Sequence, residues 1–205
     1  MRNETEKIKK RYNRMSAVFD LMEKPMEGFS AKWRQEIIGE VFGTVLEVGV
    51  GTGRNIPYYP ETINLVAIDF SKKMLAKARE KYAGSPRNVT FIEMDAQDMD
   101  FADNSFDCVL TTCVFCSVPI PVQGMREIRR VCKPGGKIVM LEHVRSSHKV
   151  VGPLMDVINP LPLYLYGANI NRDTVGNLRQ AGFGDIQVTD LWGDIFKKII
   201  IVNDK

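Results

Sequence analysis

The 205-residue sequence contains no apolar run as long as the ~18 residues that a membrane-spanning helix needs. Its first residues, MRNETEKIKKRYNR, lack the apolar core of a signal peptide. We therefore expect an intracellular, cytoplasmic protein whose four cysteines are reduced. Long basic runs are also absent and the formal net charge is only +3, so no nucleic-acid partner is expected.

Histidine and paired cysteines are scarce. The only histidines are His143 and His148, so few side chains are available as a general base near neutral pH. Cys113 and Cys116 form one C-x-x-C, and the two other cysteines are too scattered to supply the second pair of a structural zinc site. A redox or metal role is an alternative, but we predict no metal site and interpret this pair as small thiols near a strand end.

Short apolar runs alternate with helical periodicity after residue 43. We predict strands at 45–48, 64–69, 89–95, 106–114, 137–144, 185–192 and 196–202, and helices at 71–82, 121–132 and 173–181. Strands that are apolar throughout and separated by helices predict an α/β fold, a doubly wound, seven-stranded, mostly parallel sheet. The last two runs are close enough for a hairpin, which predicts an antiparallel last strand at or near an edge.

The remaining segments flank this sheet in a single domain. Residues 1–43 are predicted to form an N-terminal helical cap, broken at Pro25 and Gly28, before a core at 44–144. Residues 145–172 are rich in proline and large apolar side chains, and we interpret them as a lid inserted before a C-terminal helix and hairpin at 173–205. Loops of this length in compact domains are usually functional.

A glycine-rich turn, LEVGVGTGRN (46–55), follows the first predicted strand. Glycines at 49, 51 and 53 allow positive φ and let the backbone approach a ligand closely. The dinucleotide fingerprint G-x-G-x-x-G is not met, because its third glycine would fall on Arg54, and no Gly-Lys-Ser/Thr of a phosphate-binding loop follows. A tight structural turn is the alternative.

Three carboxylates indicate what the turn would hold. Glu47 precedes the glycines, where it could receive an ammonium group. Asp69 closes the second strand, a position from which a carboxylate takes both ribose hydroxyls, although with Ser71 it could merely cap a helix. Asp95 closes the third strand beside Ala96, where an adenine amino group could lie, or it could cap a turn. Ammonium, ribose and adenine without phosphate describe S-adenosylmethionine.

Four stretches resemble the successive motifs of class I S-adenosylmethionine-dependent methyltransferases. They are EVGVGTG (47–53), IDFSKKM (68–74), MDA (94–96) and KPGG (133–136). The resemblance implies a Rossmann-like methyltransferase fold, with S-adenosyl-L-methionine as the cofactor and S-adenosyl-L-homocysteine as its product. It implies cofactor contacts from Tyr12, Glu47, Gly49, Gly51, Gly53, Asn55, Asp69, Phe70, Met74, Asp95, Ala96, Thr112 and Cys113.

Further stretches narrow the acceptor that the resemblance implies. YNR (12–14) and the Phe19-Asp20 pair resemble the opening of quinone C-methyltransferases and phospholipid N-methyltransferases, whereas FCSV (115–118), LEHV (141–144) and NINR (169–172) are similar to membrane-associated thiol methyltransferases. All of these groups act on small hydrophobic or lipid-linked acceptors. We expect a phospholipid headgroup nitrogen or a small thiol; a quinone-ring carbon and a non-catalytic cofactor-binding module are the alternatives.

Candidate residues for the acceptor follow from these motifs. His143, at the end of the fifth predicted strand, is the candidate base, with an ordinary strand-end histidine as the alternative. Candidate acceptor-binding residues are Cys116, Asn169, Asn171 and Arg172.

The N-terminal segment also suggests a membrane partner. Its first 14 residues carry six basic and two acidic side chains and precede an apolar face. Such a helix can lie on anionic lipid, which would make the protein membrane-peripheral. The alternative is an amphipathic cap over the active site.

Overall fold

The computed structural model describes the backbone of residues 2–205, and all of their side chains except those of residues 2, 3, 23, 25–27 and 29. Seven strands form one sheet in the order β3-β2-β1-β4-β5-β7-β6. Their bounds are β1 (Thr44–Val48), β2 (Asn64–Asp69), β3 (Val89–Glu93), β4 (Phe106–Thr112), β5 (Cys132–His143), β6 (Gln187–Trp192) and β7 (Phe196–Val202). Strands β1 to β5 pair in parallel, and β7 is antiparallel to both β5 and β6. The predicted doubly wound sheet, with an antiparallel last strand next to an edge, is confirmed.

Seven helices accompany the sheet in the described part of the chain. They are α1 (Arg2–Met15), α2 (Phe19–Ile38), α3 (Lys72–Lys81), α4 (Pro121–Val131), α5 (Val151–Ile158), α6 (Pro160–Tyr166) and α7 (Thr174–Gln180). The predicted break at Pro25 and Gly28 is wrong, because the backbone of α2 is helical through both residues and the break lies at 16–18. Proline has no main-chain N–H, so one proline removes one helical hydrogen bond. The remaining hydrogen bonds of this 20-residue helix outweigh that loss.

Both faces of the sheet are buried, as its continuously apolar strands require. Successive residues of a strand point to opposite faces, so Val45 and Leu46 of β1 belong to separate core clusters. The cluster around Leu46 also takes in Phe115 and the inner side of α4, whereas the cluster around Val45 packs against Ile37 at the end of α2. The sheet is therefore a rigid base whose carboxyl edge carries the loops described below.

Helix α1 lies across this edge and is tied to two of its loops. The Tyr12 and Ser117 hydroxyl oxygens are 2.6 Å apart in a hydrogen bond. Asn13 Oδ1 accepts hydrogen bonds from the Ser71 hydroxyl at 2.9 Å and from the Lys73 amide at 3.1 Å. The sequence pattern that opens with Tyr12-Asn13 therefore fastens the cap to the loops after β2 and β4.

The lid consists of α5, α6 and their connections. It packs against the cap where Gly167, with φ of +82°, ends α6; a Cβ at this position would lie 3.0 Å from Ile8 of α1. Asn159, between α5 and α6, ties the middle of the lid to its C-terminal part, since its side chain donates to Asn169 Oδ1 and accepts from the Ile170 amide. None of the described helices combines the length and the hydropathy that a membrane-spanning segment requires.

Candidate active site

A cavity of about 510 Å³ lies at the carboxyl edge of the sheet, beneath α1, the start of α2 and the lid. Its volume is within the range of about 300–1,000 Å³ that small-molecule sites occupy. The chain runs outward from β1 to β2 and β3 on one side and to β4 and β5 on the other, so the cavity sits where the strand order reverses. All of the predicted cofactor residues except Gly53 line it.

The glycine turn forms part of the cavity wall. Gly49, Gly51 and Gly53 have φ of +71°, +56° and +81°, as the expected turn requires. A Cβ at position 49 would lie 2.5 Å from Val114, and one at position 53 would lie 2.6 Å from Tyr82. Glycine at these two positions therefore allows the side chains of Val114 and Tyr82 to pack against the turn. A Cβ at position 51 would meet nothing within 4 Å. Gly51 is therefore the glycine that leaves room in the cavity, while Gly53 packs against the protein.

Glu47 is buried at the end of β1. Its Oε1 accepts a 2.9 Å hydrogen bond from Asn55, whose side chain also donates to Thr112 Oγ1. Its Oε2 is buried without a hydrogen bond of ordinary geometry to the described residues, although the Tyr59 hydroxyl is near enough to lower the pKa. Burial dominates and raises the pKa of Glu47 to about 7.

Asp69 is buried at the end of β2 and anchors the glycine turn. Its Oδ2 accepts from the Gly51 amide at 2.9 Å and its Oδ1 from the Ser71 amide at 2.7 Å. Burial raises the pKa of Asp69 to about 6, and these two hydrogen bonds oppose the shift. The Ser71 hydroxyl accepts from the Met74 amide and caps α3, so the capping alternative describes Ser71, while Asp69 faces the cavity.

Asp95 and Ala96 form the wall that follows β3. Asp95 accepts hydrogen bonds from both the amide and the side chain of Gln97. Gln97 also accepts from the Ile120 amide, which ties this wall to the loop before α4. Gln97 lines the cavity, and sequence reasoning missed it because glutamine in a loop carries no distinctive pattern.

Cys113 follows β4 with φ of +53°, one of two positive φ values among the described non-glycine residues. Residues other than glycine rarely adopt this conformation, which costs about 1–3 kcal/mol and concentrates at functional sites. The Cys113 amide donates to the Leu141 carbonyl at 2.7 Å, so β5 fixes the turn. The turn brings Thr112, Cys113 and Cys116 to the same cavity.

We call the lining residues that follow β1, β2, β3 and β4 the polar end, and the uncharged lining residues of α1, the start of α2, the 116–119 loop and the lid the apolar end. The apolar end is lined by Met15, Phe19, Met22, Cys116, Val118, Pro119, Pro162, Tyr166, Ala168 and Ile170. None of these side chains is charged. The lining of the cavity therefore combines three carboxylates with a large set of uncharged, mostly apolar side chains.

The polar end fits an adenosyl sulfonium. Three acidic residues, Glu47, Asp69 and Asp95, line the cavity against two arginines, and this acidic excess favours a cationic, hydroxyl-bearing ligand over an anionic phosphate. The open space at Gly51 admits a ligand against the backbone.

The predicted acceptor residues divide into two groups. Cys116 lines the cavity, with its Sγ donating to the Cys113 carbonyl, and burial raises the pKa of this thiol to about 12. Asn169, Asn171 and Arg172 do not line it, which corrects the expectation for these three. Asn169 and Arg172 donate to the Cys116 carbonyl, and Asn171 donates to Asp156. They hold the lid in place and leave the lining to Pro162, Tyr166, Ala168 and Ile170.

His143 also lies away from the cavity, which corrects its assignment as the base. It is paired with Phe196 across the β5–β7 ladder, with the rings edge to face at 5.1 Å. Burial lowers the pKa of His143. Its neighbour Glu142 contacts Thr111 and Val114 below the cavity instead, because adjacent strand residues point to opposite faces.

Two further contacts of α2 hold the polar end. The Thr52 hydroxyl donates to Asp20 Oδ1 at 2.6 Å, which joins the glycine turn to the start of α2. Arg34 donates to Asn55 Oδ1 at 2.5 Å and lines the cavity, where it orients the amide that contacts Glu47. The sequence motif that contains Phe19-Asp20 indicated that this segment matters, which agrees with the Asp20–Thr52 contact. The role of Arg34 could not be predicted from the sequence, because a single arginine in a helix is usually a solvated side chain.

Glu142 supplies a pH test of the fold beneath the cavity. It is fully buried, and burial raises its pKa from 4.5 to about 7. The native state then holds a proton that the unfolded chain loses above about pH 4.5, so this contribution to stability is present below that pH and is lost as pH rises to about 7.

We expect Glu142→Gln to flatten the fall of the unfolding free energy between pH 4.5 and 7 by up to about 1.4 kcal/mol per pH unit, since the amide keeps its acceptor but cannot ionise. Urea denaturation across this range measures the slope. The exposed Glu61→Gln is the control and should leave the slope unchanged. An unchanged slope in Glu142→Gln would show that its carboxyl ionises alike in both states.

Comparison with known proteins agrees with this geometry. Residues 46–140 match the family described as methyltransferase domain. A phosphatidylethanolamine N-methyltransferase of Cereibacter sphaeroides is 41% identical over 56% of this chain and 56% of its own length. A thiol S-methyltransferase of Rattus norvegicus is 32% identical over 71% of this chain and 62% of its own. Other relatives are named as demethylmenaquinone and ubiquinone/menaquinone methyltransferases.

Two limits on these similarities follow from coverage and identity. The chain spans less than two thirds of the length of the bacterial N-methyltransferase and of the rat enzyme. A solved Thermotoga maritima structure, described as an S-adenosylmethionine-dependent methyltransferase and possible histamine N-methyltransferase, aligns with a TM-score of 0.72 over 94% of this chain and 98% of its own, at 20% identity. That likeness shows the fold alone, but it extends over nearly the whole chain. In its motifs, its sheet and its relatives, the chain is similar to the class I S-adenosylmethionine-dependent methyltransferases, and residues 46–140 match the methyltransferase domain itself.

Proposed function

We propose that this chain transfers the methyl group of S-adenosylmethionine to a small hydrophobic or lipid-linked acceptor, with the nitrogen of a phospholipid headgroup as the first candidate. The observation that carries the proposal is the shape of the cavity. Its polar end is lined by three carboxylates, and its apolar end lies under the cap and the lid. Such a cavity suits a charged cofactor on one side and a greasy acceptor on the other.

We assign the cofactor to the polar end. Glu47, with Asn55, would hold its ammonium end, and Asp69 would hold its ribose hydroxyls. Asp95 and Ala96 would border the adenine. Phe70 and Met74 would pack beside it, and Thr112 and Cys113 would border the sulfur. When bound, the cofactor supplies a methyl group already activated by a sulfonium.

The chain's own residues would align the acceptor and exclude water. Alignment of two reactants can supply several kcal/mol of a barrier. An apolar enclosure adds to this because it does not solvate the starting charges strongly. Tyr12, Met15 and Phe19 from the cap, with Pro162 and Tyr166 from the lid, provide that enclosure.

Side chains that could accept a proton as a nitrogen base are missing from the cavity. Among the described residues that line it there is no histidine and no lysine, and arginine, which lines it at positions 34 and 54, is not a proton acceptor in proteins. Burial raises the pKa of Tyr12 far above its usual range, so this hydroxyl stays neutral and bound to Ser117. The acceptor must therefore arrive as a nucleophile in its own right, as a neutral amine or a thiolate does. A quinone-ring carbon, which needs a base beside it, is disfavoured.

We expect His143→Gln to keep the rate of methyl transfer within about twofold of wild type, because the imidazole faces Phe196 rather than the cavity. The variant should lose stability, since the ring contact is removed. Initial rates at saturating acceptor, together with thermal unfolding, measure both effects. A rate loss of about a hundredfold or more in a folded variant would restore the histidine as a base.

A small thiol is the second candidate acceptor. The similarity to the rat thiol S-methyltransferase supports it. So does the apolar end, which offers no cationic side chain to a headgroup phosphate. The greater identity to the bacterial phosphatidylethanolamine enzyme favours the lipid amine.

Methyl-labelled S-adenosylmethionine separates these readings. The purified chain is incubated with phosphatidylethanolamine vesicles, with a panel of alkyl and aryl thiols, and with a reduced quinone. Label in the lipid supports the first candidate and label in a thiol supports the second. Label only in the quinone overturns the argument from the missing base. Cofactor uptake with no transfer to any acceptor would make the chain a binding module and overturn the proposal.

A further inference from the structure

The outer face of the lid is strongly apolar and exposed. Val157 and Tyr164 are 77% and 75% exposed, values that belong to surface side chains with little protein around them. The exposed large apolar residues of this face are Val150, Leu154, Val157, Ile158, Leu161, Tyr164 and Leu165. They follow one another along α5 and α6, so they form a patch rather than isolated surface residues, and such patches mark interaction sites.

Charge is nearly absent from this segment. Asp156 is the only charged residue between positions 150 and 166. Arg145 forms an ion pair with it at 2.8 Å, and Asn171 donates a further hydrogen bond to it. The one carboxylate on the face is therefore already neutralised from the base of the lid. Nothing charged has to be desolvated when the patch meets an apolar medium.

The net positive charge of the chain lies beside this patch. The first 14 residues contain six basic and two acidic side chains, which gives +4, whereas the remaining 22 basic and 23 acidic side chains give −1. Helix α1 packs against α6, where Arg11 donates to the Leu163 carbonyl at 2.7 Å and lies over the Tyr164 ring. Lys7, Lys10 and Arg14 of the same helix are exposed.

The same elements border the apolar end of the cavity. Pro162 and Tyr166 line it from α6, and each follows directly after an exposed leucine of that helix. Met22 lines it from α2 while 43% of its surface remains exposed, so the cavity reaches the surface there. Leu21 beside it is exposed too. The mouth of the cavity is therefore framed by apolar side chains.

We propose that the outer face of α5 and α6, with the basic residues of α1 beside it, is a docking surface for an anionic phospholipid bilayer. The apolar side chains would enter the headgroup region, and the lysines and arginines would meet the negative surface. Lys9 of α1 is already paired with Glu93, but Lys10 and Arg14 are exposed, and charge complementarity therefore selects this partner over a neutral protein groove. Membrane docking does not depend on the proposed methyl transfer. Only the purpose of docking, which is to present a lipid acceptor to the cavity, rests on the proposed function.

Co-sedimentation with vesicles, without cofactor or acceptor turnover, tests the surface. Vesicles of phosphatidylcholine containing phosphatidylglycerol are compared with phosphatidylcholine alone. The double variant Val157→Glu, Leu161→Glu should bind anionic vesicles at least about tenfold more weakly than wild type, because it replaces two aliphatic side chains that would enter the bilayer with charged ones. The matched control is Val188→Glu, Val202→Glu, two exposed positions on β6 and β7 away from the lid.

The expected result is binding by wild type and the control that falls with salt, and loss of binding in the lid variant. Three results would overturn the proposal. The first two are no preference of the wild type for anionic vesicles and equal loss of binding in the lid variant and the control. The third is a concentration-dependent dimer that the lid variant dissociates, without vesicle binding, which would assign the patch to a second copy. No methyl transfer is measured in this experiment, so a lack of vesicle binding would leave the proposed activity unaffected. In the same way, a lack of methyl transfer would leave the proposed docking surface unaffected.

Discussion

Replacing Gly51 with alanine should weaken binding of S-adenosylhomocysteine by about 100-fold or more while the chain stays folded. A Cβ at this position meets no protein atom within 4 Å, so the added methyl group projects into open space beside the cavity. The positive φ of +56° makes alanine strained by roughly 1–2 kcal/mol, a loss that a folded domain tolerates. Calorimetric titration and thermal unfolding separate the two effects.

Gly84 provides a matched control for this variant. It has φ of +77°, and a Cβ there also meets nothing within 4 Å, but it lies between α3 and β3 and does not line the cavity. Gly84→Ala should therefore show the same loss of stability with unchanged binding. Gly49→Ala is unsuitable, because its Cβ would strike Val114 and disturb packing. Equal binding by the Gly51 and Gly84 variants would contradict the assignment of the polar end.

Asp69→Asn should weaken cofactor binding by about 100-fold, because two charge-assisted hydrogen bonds of about 1.5–3 kcal/mol each would lose their acceptor charge. The carboxylate also accepts from the Gly51 and Ser71 amides, and asparagine can satisfy only one of them through its oxygen. Some loss of stability is therefore expected alongside the loss of binding. The dissociation constant is measured below the unfolding transition of the variant.

Asp107→Asn is the control for the structural part of this effect. Asp107 accepts from the Thr44 amide at 2.8 Å and pairs with Lys133, so it also anchors a strand, but it does not line the cavity. We expect destabilisation with unchanged cofactor affinity. If the Asp69 variant bound as tightly as wild type, the ribose assignment would be wrong.

The pattern of the sheet was readable from the sequence because its physical signals are local. The strands β2 and β7 have the predicted bounds, 64–69 and 196–202, since each is a compact apolar run between turn residues. Strand β5 begins at Cys132, five residues earlier than predicted, because Cys132 already pairs with Phe106 of β4. The ladder is then irregular through KPGG, where Gly135 has a φ of +72°, and it resumes at Lys137. A Pro-Gly-Gly sequence alone indicates only a turn.

The polar end was predictable for the same reason. Glu47, Asp69 and Asp95 follow strands, and parallel strands bring their carboxyl ends to one edge. Once the strands were placed, the convergence of these side chains followed. Gly53 was assigned by its spacing, but whether a glycine faces a ligand or a neighbouring ring depends on packing that spacing does not contain.

The apolar end was less predictable because it is built by tertiary contacts. Residues 145–172 have no simple period, so the two short helices α5 and α6 could not be recognised. Polar lid residues such as Asn169 and Arg172 were taken for acceptor contacts, whereas they satisfy backbone carbonyls under the lid. His143 was chosen for its chemistry, but its side chain lies on the face toward Phe196. A shift of one residue along a strand turns a side chain to the opposite face of the sheet.

Calorimetric titration of the wild-type chain tests the central claim most directly. The account predicts that one molecule of S-adenosylhomocysteine binds per chain, and that NAD, whose pyrophosphate would face three carboxylates, does not bind. Absence of heat with S-adenosylhomocysteine, or binding of NAD with similar affinity, would contradict it.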